Sequence, residues 1–154
     1  TLVFTTDCAV WKEGRISRRG LVLQTKRLLR VPLRLRGLAH LKAVKQAVFL
    51  WGNPVICPAC TYDKKALGVP LYDSSFKFAL DWDTMYRLAA QKGRFVCEEK
   101  PLICYRVHDQ AATKACIQDS RRPEEELAMY RKIWPEPMAG LLMHFYKKAY
   151  ASYD

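Results

Sequence analysis

The sequence predicts an α/β protein: a short mixed sheet flanked by helices, followed by a helical C-terminal third. Three observations lead there. Half of the 154 residues are apolar, enough to bury a core within one domain. Short apolar runs of strand length open the chain and recur after residue 93. Between them, and again at the end, apolar residues fall at helical spacing.

Taken in order, Leu2 to Thr6 reads as a short buried strand. Asp7 to Gly20 is polar and bounded by glycine, which fits a hairpin or loop, and Leu21 to Leu23 reads as a second short strand. From Lys26 to Phe49 the apolar positions Leu28, Leu35, Leu38, Leu41, Val44 and Val48 repeat at helical spacing, with basic residues on the other face. Pro32 and Gly37 divide this stretch into two helices. An extended segment follows from Asn53 to Thr61, then a turn of helix at Lys64 to Leu67 stopped by Gly68, then loop from Val69 to Phe78. Asp83 to Lys92 reads as a helix with acids at its start and Gly93 after its end. Arg94 to Cys97 and Leu102 to His108 read as two extended segments joined through Glu98-Glu99-Lys100-Pro101. Residues 110–154 form a helical tail: Pro123 and the three following glutamates suit a first turn, Pro135 ends that helix, and Met138 to Tyr150 makes another.

The formal charge is +11, and the excess crowds the first third. Lys12, Arg15, Arg18, Arg19, Lys26, Arg27, Arg30, Arg34, Arg36, Lys42 and Lys45 are opposed there only by Asp7 and Glu13. Such a patch attracts anionic lipid, nucleic acid or phosphate-bearing substrates, or is a solvated face. No nucleic-acid motif accompanies it, so membrane apposition ranks above nucleic acid. The six cysteines, in a chain with ample apolar core, point to reduced thiols and a cytoplasmic setting. No apolar run approaches the roughly 20 residues that span a bilayer. The chain opens on Thr1 and runs straight into an apolar strand, which reads as an excerpt of a longer enzyme.

Chemistry concentrates between Asp81 and His108. Asp81 and Asp83 could hold a cation or supply a general base, or could cap a helix. Alternation along a strand puts Leu102, Cys104, Arg106 and His108 on one face, where Arg106 and His108 make an anion or metal site or a solvated strand end satisfied by Asp109. Cys57-Pro58-Ala59-Cys60 lies in the extended segment, which would turn its sulfurs out of line. Cys97 and Cys104 are too far apart to supply a second zinc pair, so Cys57 and Cys60 read as buried thiols.

The order of these features resembles family 2 glycosyltransferases, whose fold is GT-A. The residues that carry it are Leu80-Asp81-Trp82-Asp83-Thr84-Met85-Tyr86-Arg87-Leu88-Ala89, Gly93-Arg94-Phe95-Val96, Lys100-Pro101-Leu102 and Tyr105-Arg106-Val107-His108. The opening Thr1 to Asp7, the segments Asn53 to Pro58 and Thr61 to Gly68, and the tail ending Trp134-Pro135 extend it over nearly the whole chain. The resemblance implies the acceptor-side half of a GT-A catalytic domain from a bacterial cell-surface branch. The intact enzyme would move a sugar from a nucleotide-sugar to a glycan or lipid-linked acceptor with inversion.

By that resemblance Asp81 is the catalytic base, His108 helps hold a divalent metal (Mn or Mg), and Arg106 faces the donor diphosphate. Tyr62 and Trp82 line the acceptor cleft. The sequence departs from the family at Leu80, where an acid is usual, and its Asp-x-Asp at Asp81 opens a helix instead of ending a donor-side strand. The donor-binding half is missing, so the piece alone is expected to be inactive. The basic helices would sit peripherally at the inner membrane face, and exposed sheet edges would favour a homodimer. Two other readings stand beside this one: a basic module that binds anionic membrane or nucleic acid without catalysis, and a zinc-stabilised domain.

Overall fold

A computed structural model of the chain describes residues 1–35, 37–108, 116 and 120–148. Asp109 and most of the first part of the expected tail lie outside them, as does the tail's end from 149 onward. The described residues form a mixed α/β structure, as the apolar patterning predicts.

The central strand is β1 (Val3–Lys12). Its first residues pair antiparallel with β3 (Cys60–Tyr62), its last with β2 (Arg15–Ser17). Strand β4 (Phe95–Arg106) runs parallel along the opposite edge of β1. β1 is therefore longer than the sequence suggests, and the hairpin starts later. Its two-residue turn is Glu13-Gly14, both with positive φ, the backbone that matches the twist of a tight hairpin. β4 is one strand where two segments were expected. Thr6 pairs with Glu98 and Asp7 with Pro101, so the polar residues between them bulge out of the ladder without ending it.

The expected strand at Leu21 to Leu23 is instead the first turn of α1 (Leu21–Leu29). Three apolar residues suit either element, and here only Leu23 turns inward. Helix α2 (Val31–Arg34) follows with Pro32 in its opening turn, where a missing N–H costs nothing. Turns lead to α3 (Lys42–Ala47). The Asn53 to Thr61 stretch is not wholly extended: Cys57–Ala59 is a 3-10 turn nucleated by Pro58, whose fixed φ suits it. Then come α4 (Lys64–Leu67), stopped at Gly68, and α5 (Leu80–Ala89). The tail packs as two helices, α6 (Arg121–Ile133) and α7 (Glu136–Lys147).

The core lies between the start of the sheet and these helices. Helix α5 contributes Trp82, Met85, Leu88 and Ala89 at helical spacing, met by Val3, Phe49 and Phe95 on one side and Met129, Tyr130 and Met143 on the other. Gly93 lets the chain turn from α5 into β4. Its φ is +118°, and a Cβ there would stand 2.6 Å from Leu2 Cγ. Among the described residues no helix is long and apolar enough to cross a membrane.

Candidate functional site

Asp81 is the second residue of α5, and its position is fixed from three sides. Ahead of it, the Glu125 carboxylate on α6 accepts the backbone N–H groups of Lys77, Phe78 and Ala79 at 2.7–3.0 Å, which holds the chain entering the helix. Its own Oδ1 accepts the N–H of Trp82 at 2.8 Å. Behind it, the Trp82 indole N–H donates to Phe49 O at 3.2 Å, and its ring meets Tyr130 edge-on.

Across from Asp81 stands Lys26 of α1. Its Nζ donates to the carbonyls of Asn53 and Val55. Burial pushes the Asp81 carboxyl above the usual Asp range, while the Lys26 ammonium and the Asn53 side chain pull the other way. Burial brings Lys26 down to about 8, against the pull of Asp81. Each group's charge thus favours the charged form of the other.

The 3-10 turn and β3 add the rest. Cys57 and Cys60 are first and last residues of one turn, closed by the Cys60 N–H on Cys57 O. Both thiols are pushed up, chiefly by burial, Cys60 to about 11, and the Asp81 charge adds to both. Cys57 is nevertheless exposed and Cys60 half-buried, so the expectation of two buried thiols fails for Cys57. The physical reason is the turn itself, which swings Cys57 outward before β3 begins. Tyr62 meets Tyr72 edge-on at 6.2 Å, and its hydroxyl is buried without a hydrogen-bond partner among the described residues. Burial raises both phenols. Cys57 and Tyr72 are exposed, while Lys26 and Asp81 are half-buried.

The charge of Asp81 reaches Cys57, Cys60 and Tyr72, and Tyr62 joins this group through Tyr72; the other expected site residues lie elsewhere. Trp82 is 1% exposed, a core residue that lines no cleft. Arg106 and His108 lie on an exposed face, as strand alternation predicts, but at the far end of β1. Arg106 pairs with Trp11 and its guanidinium lies 5.8 Å from that ring. Thr5, which pairs with Cys60, is six residues back, about 20 Å along a strand. Among the described residues no three His, Cys, Asp or Glu side chains gather as a metal site. The sequence missed Lys26, Asn53 and Tyr72 as site residues. Lys26 alone carried a signal: it shares a helical face with buried Leu23, Arg30 and Leu33. Asp83, the second acid of the motif, is fully buried between Arg87 and Lys132 and ties α5 to α6.

Scans against protein-family models, curated proteins and solved structures give no significant match for this chain.

Proposed function

We propose that the chain is the acceptor-side part of an inverting glycosyltransferase in which Asp81 takes the proton from the acceptor hydroxyl. The observation that carries this is the Asp81 carboxyl itself: raised in basicity by burial, seated on a helix start, and within electrostatic reach of Lys26, Cys57 and Tyr72. As the acceptor oxygen attacks the anomeric carbon of a nucleotide-sugar, its proton passes to Asp81 and the nucleoside diphosphate departs with the electrons of the broken bond. Exposed Tyr72 presents an aromatic ring and a hydroxyl suited to a sugar ring, with Tyr62 packed edge-on behind it. The acceptor would be a glycan or lipid-linked saccharide, met at the cytoplasmic side of a membrane. The implied Mn or Mg ion finds no ligand group among the described residues, and the proton transfer at Asp81 proceeds without reference to it. Arg106 and His108 stand too far along β1 to touch that proton.

In the intact protein, Asp81→Asn should lower transfer by about 10²–10⁴-fold while donor binding persists. The measurement is nucleoside diphosphate release across a panel of nucleotide-sugars, beside donor binding by calorimetry. Unchanged turnover would remove Asp81 from the chemistry.

A further inference from the structure

Helices α1 and α2 are inside out relative to their pattern. The residues that face the core are Leu23, Lys26, Arg30 and Leu33, whereas the leucines of the opposite stripe face outward. Leu21, Leu28, Val31, Leu35, Leu38 and Leu41 are 39–81% exposed. They follow one another along this stretch of chain. Leu21 and Leu28 lie two turns apart on α1, Val31 opens α2 and Leu35 follows its end. Beyond it, Leu38 N–H donates to Leu35 O and Leu41 N–H to Leu38 O, so turns carry the chain on with Leu38 and Leu41 again exposed.

The charge around this row is predominantly positive. No Asp or Glu occurs between Glu13 and Asp63. Arg18 and Arg19 stand exposed just before α1, and Lys42 just after the last turn. Asp7 is buried and held by Arg27 and Arg30. Glu13 sits on the hairpin tip, and Glu99 reaches Arg34 at the flank. An apolar ridge with cations at both ends fits a surface that is hydrocarbon beneath and anionic above. A soluble protein partner would need a matching acidic groove; a bilayer supplies both features at once.

We infer that the row from Leu21 to Leu41 docks the chain in-plane on an anionic phospholipid bilayer, the leucines entering the acyl boundary and Arg18, Arg19 and Lys42 meeting the headgroups. This docking surface is separate from Asp81 and independent of the transfer reaction. It also differs from a purely electrostatic attachment, because the leucines do most of the binding.

The test is co-sedimentation of the 154-residue chain with vesicles of phosphatidylcholine alone and of phosphatidylcholine mixed with phosphatidylglycerol. Binding is expected to the mixed vesicles and to be far weaker to the neutral ones. Leu28→Ser with Leu35→Ser, both on exposed positions, should cut partitioning by roughly tenfold per leucine, at about 1.5 kcal/mol for each buried side chain. Circular dichroism unchanged from the parent keeps that loss attributable to the surface. Arg18→Gln with Arg19→Gln should weaken binding more at low salt than at high salt. Equal binding by the leucine variant overturns the proposal, as does absence of binding to the mixed vesicles. A dimer that the leucine substitutions split, in a chain that ignores vesicles, assigns the row to a second copy and equally overturns it.

Discussion

Lys26 and Asp81 hold opposite charges where neither is well solvated, and their titration reaches beyond the site. Lys26 is lowered to about 8 from an ordinary 10.5, chiefly by burial. Between those values the unfolded chain keeps a proton that the folded chain has released, so this group makes the fold more stable as pH rises across the window. Below about 8 both states are protonated and the cost of the buried ammonium is felt in full. Lys26→Met removes the titration. The urea unfolding free energy of the parent minus that of Lys26→Met should therefore climb from pH 8 to pH 10; a flat difference would mean that Lys26 is not held in the site as a desolvated ammonium. Family-like order pointed to Asp81 and Tyr62 as candidates. Asn53 and Tyr72 were not legible, since each is brought in by a loop whose path no local pattern specifies.

At the scale of elements, α5 shows how a boundary escapes the sequence. Its acids suggested a start near Asp83, yet the helix begins at Leu80. The start is set by Glu125, more than forty residues later, which binds the N–H groups at 77–79. Capping from another element leaves no mark beside the helix it caps. Glu125→Ala should cost about 1.5–3 kcal/mol in chemical denaturation, the worth of hydrogen bonds to a charged group, and Glu125→Gln less, because the amide oxygen still accepts. Equal stability of all three proteins would show that α5 starts unaided. Helices α1 and α2 make the complementary point. Their period was readable, but the inward face was not. Buried Asp7 takes Arg30 and Arg27 to itself, and the Asn53 and Val55 carbonyls take Lys26, so these polar contacts turn the leucines out.

Across the whole molecule, Asp83 joins the sheet-side helix α5 to the tail. It is fully buried, but its partners Arg87 and Lys132 are 39% and 43% exposed at the side chain. Asp83→Asn leaves two cations that can turn to solvent, so the loss should be about 1–3 kcal/mol, below the roughly 3–5 of a pair buried on both sides. Thermal unfolding should fall as one transition. A second transition, or no change, would show that α6 and α7 are not coupled to the sheet through this residue. The same layering explains why Trp82 is in the core: α6 and α7 cover the face of α5 that a cleft would have needed.

By itself the sequence determined the α/β class, the helical tail and the alternation that exposes Arg106 and His108. Each of these follows from short-range periodicity or from residue order along one stretch of chain. Only the tertiary structure decided which face of α1 turned inward, where α5 begins, that β4 is continuous through its bulge, and that Lys26 and Tyr72 join Asp81. Those outcomes depend on carboxylates and cations far apart in sequence finding each other as water is excluded, and a buried charge leaves no choice of partner to local propensity.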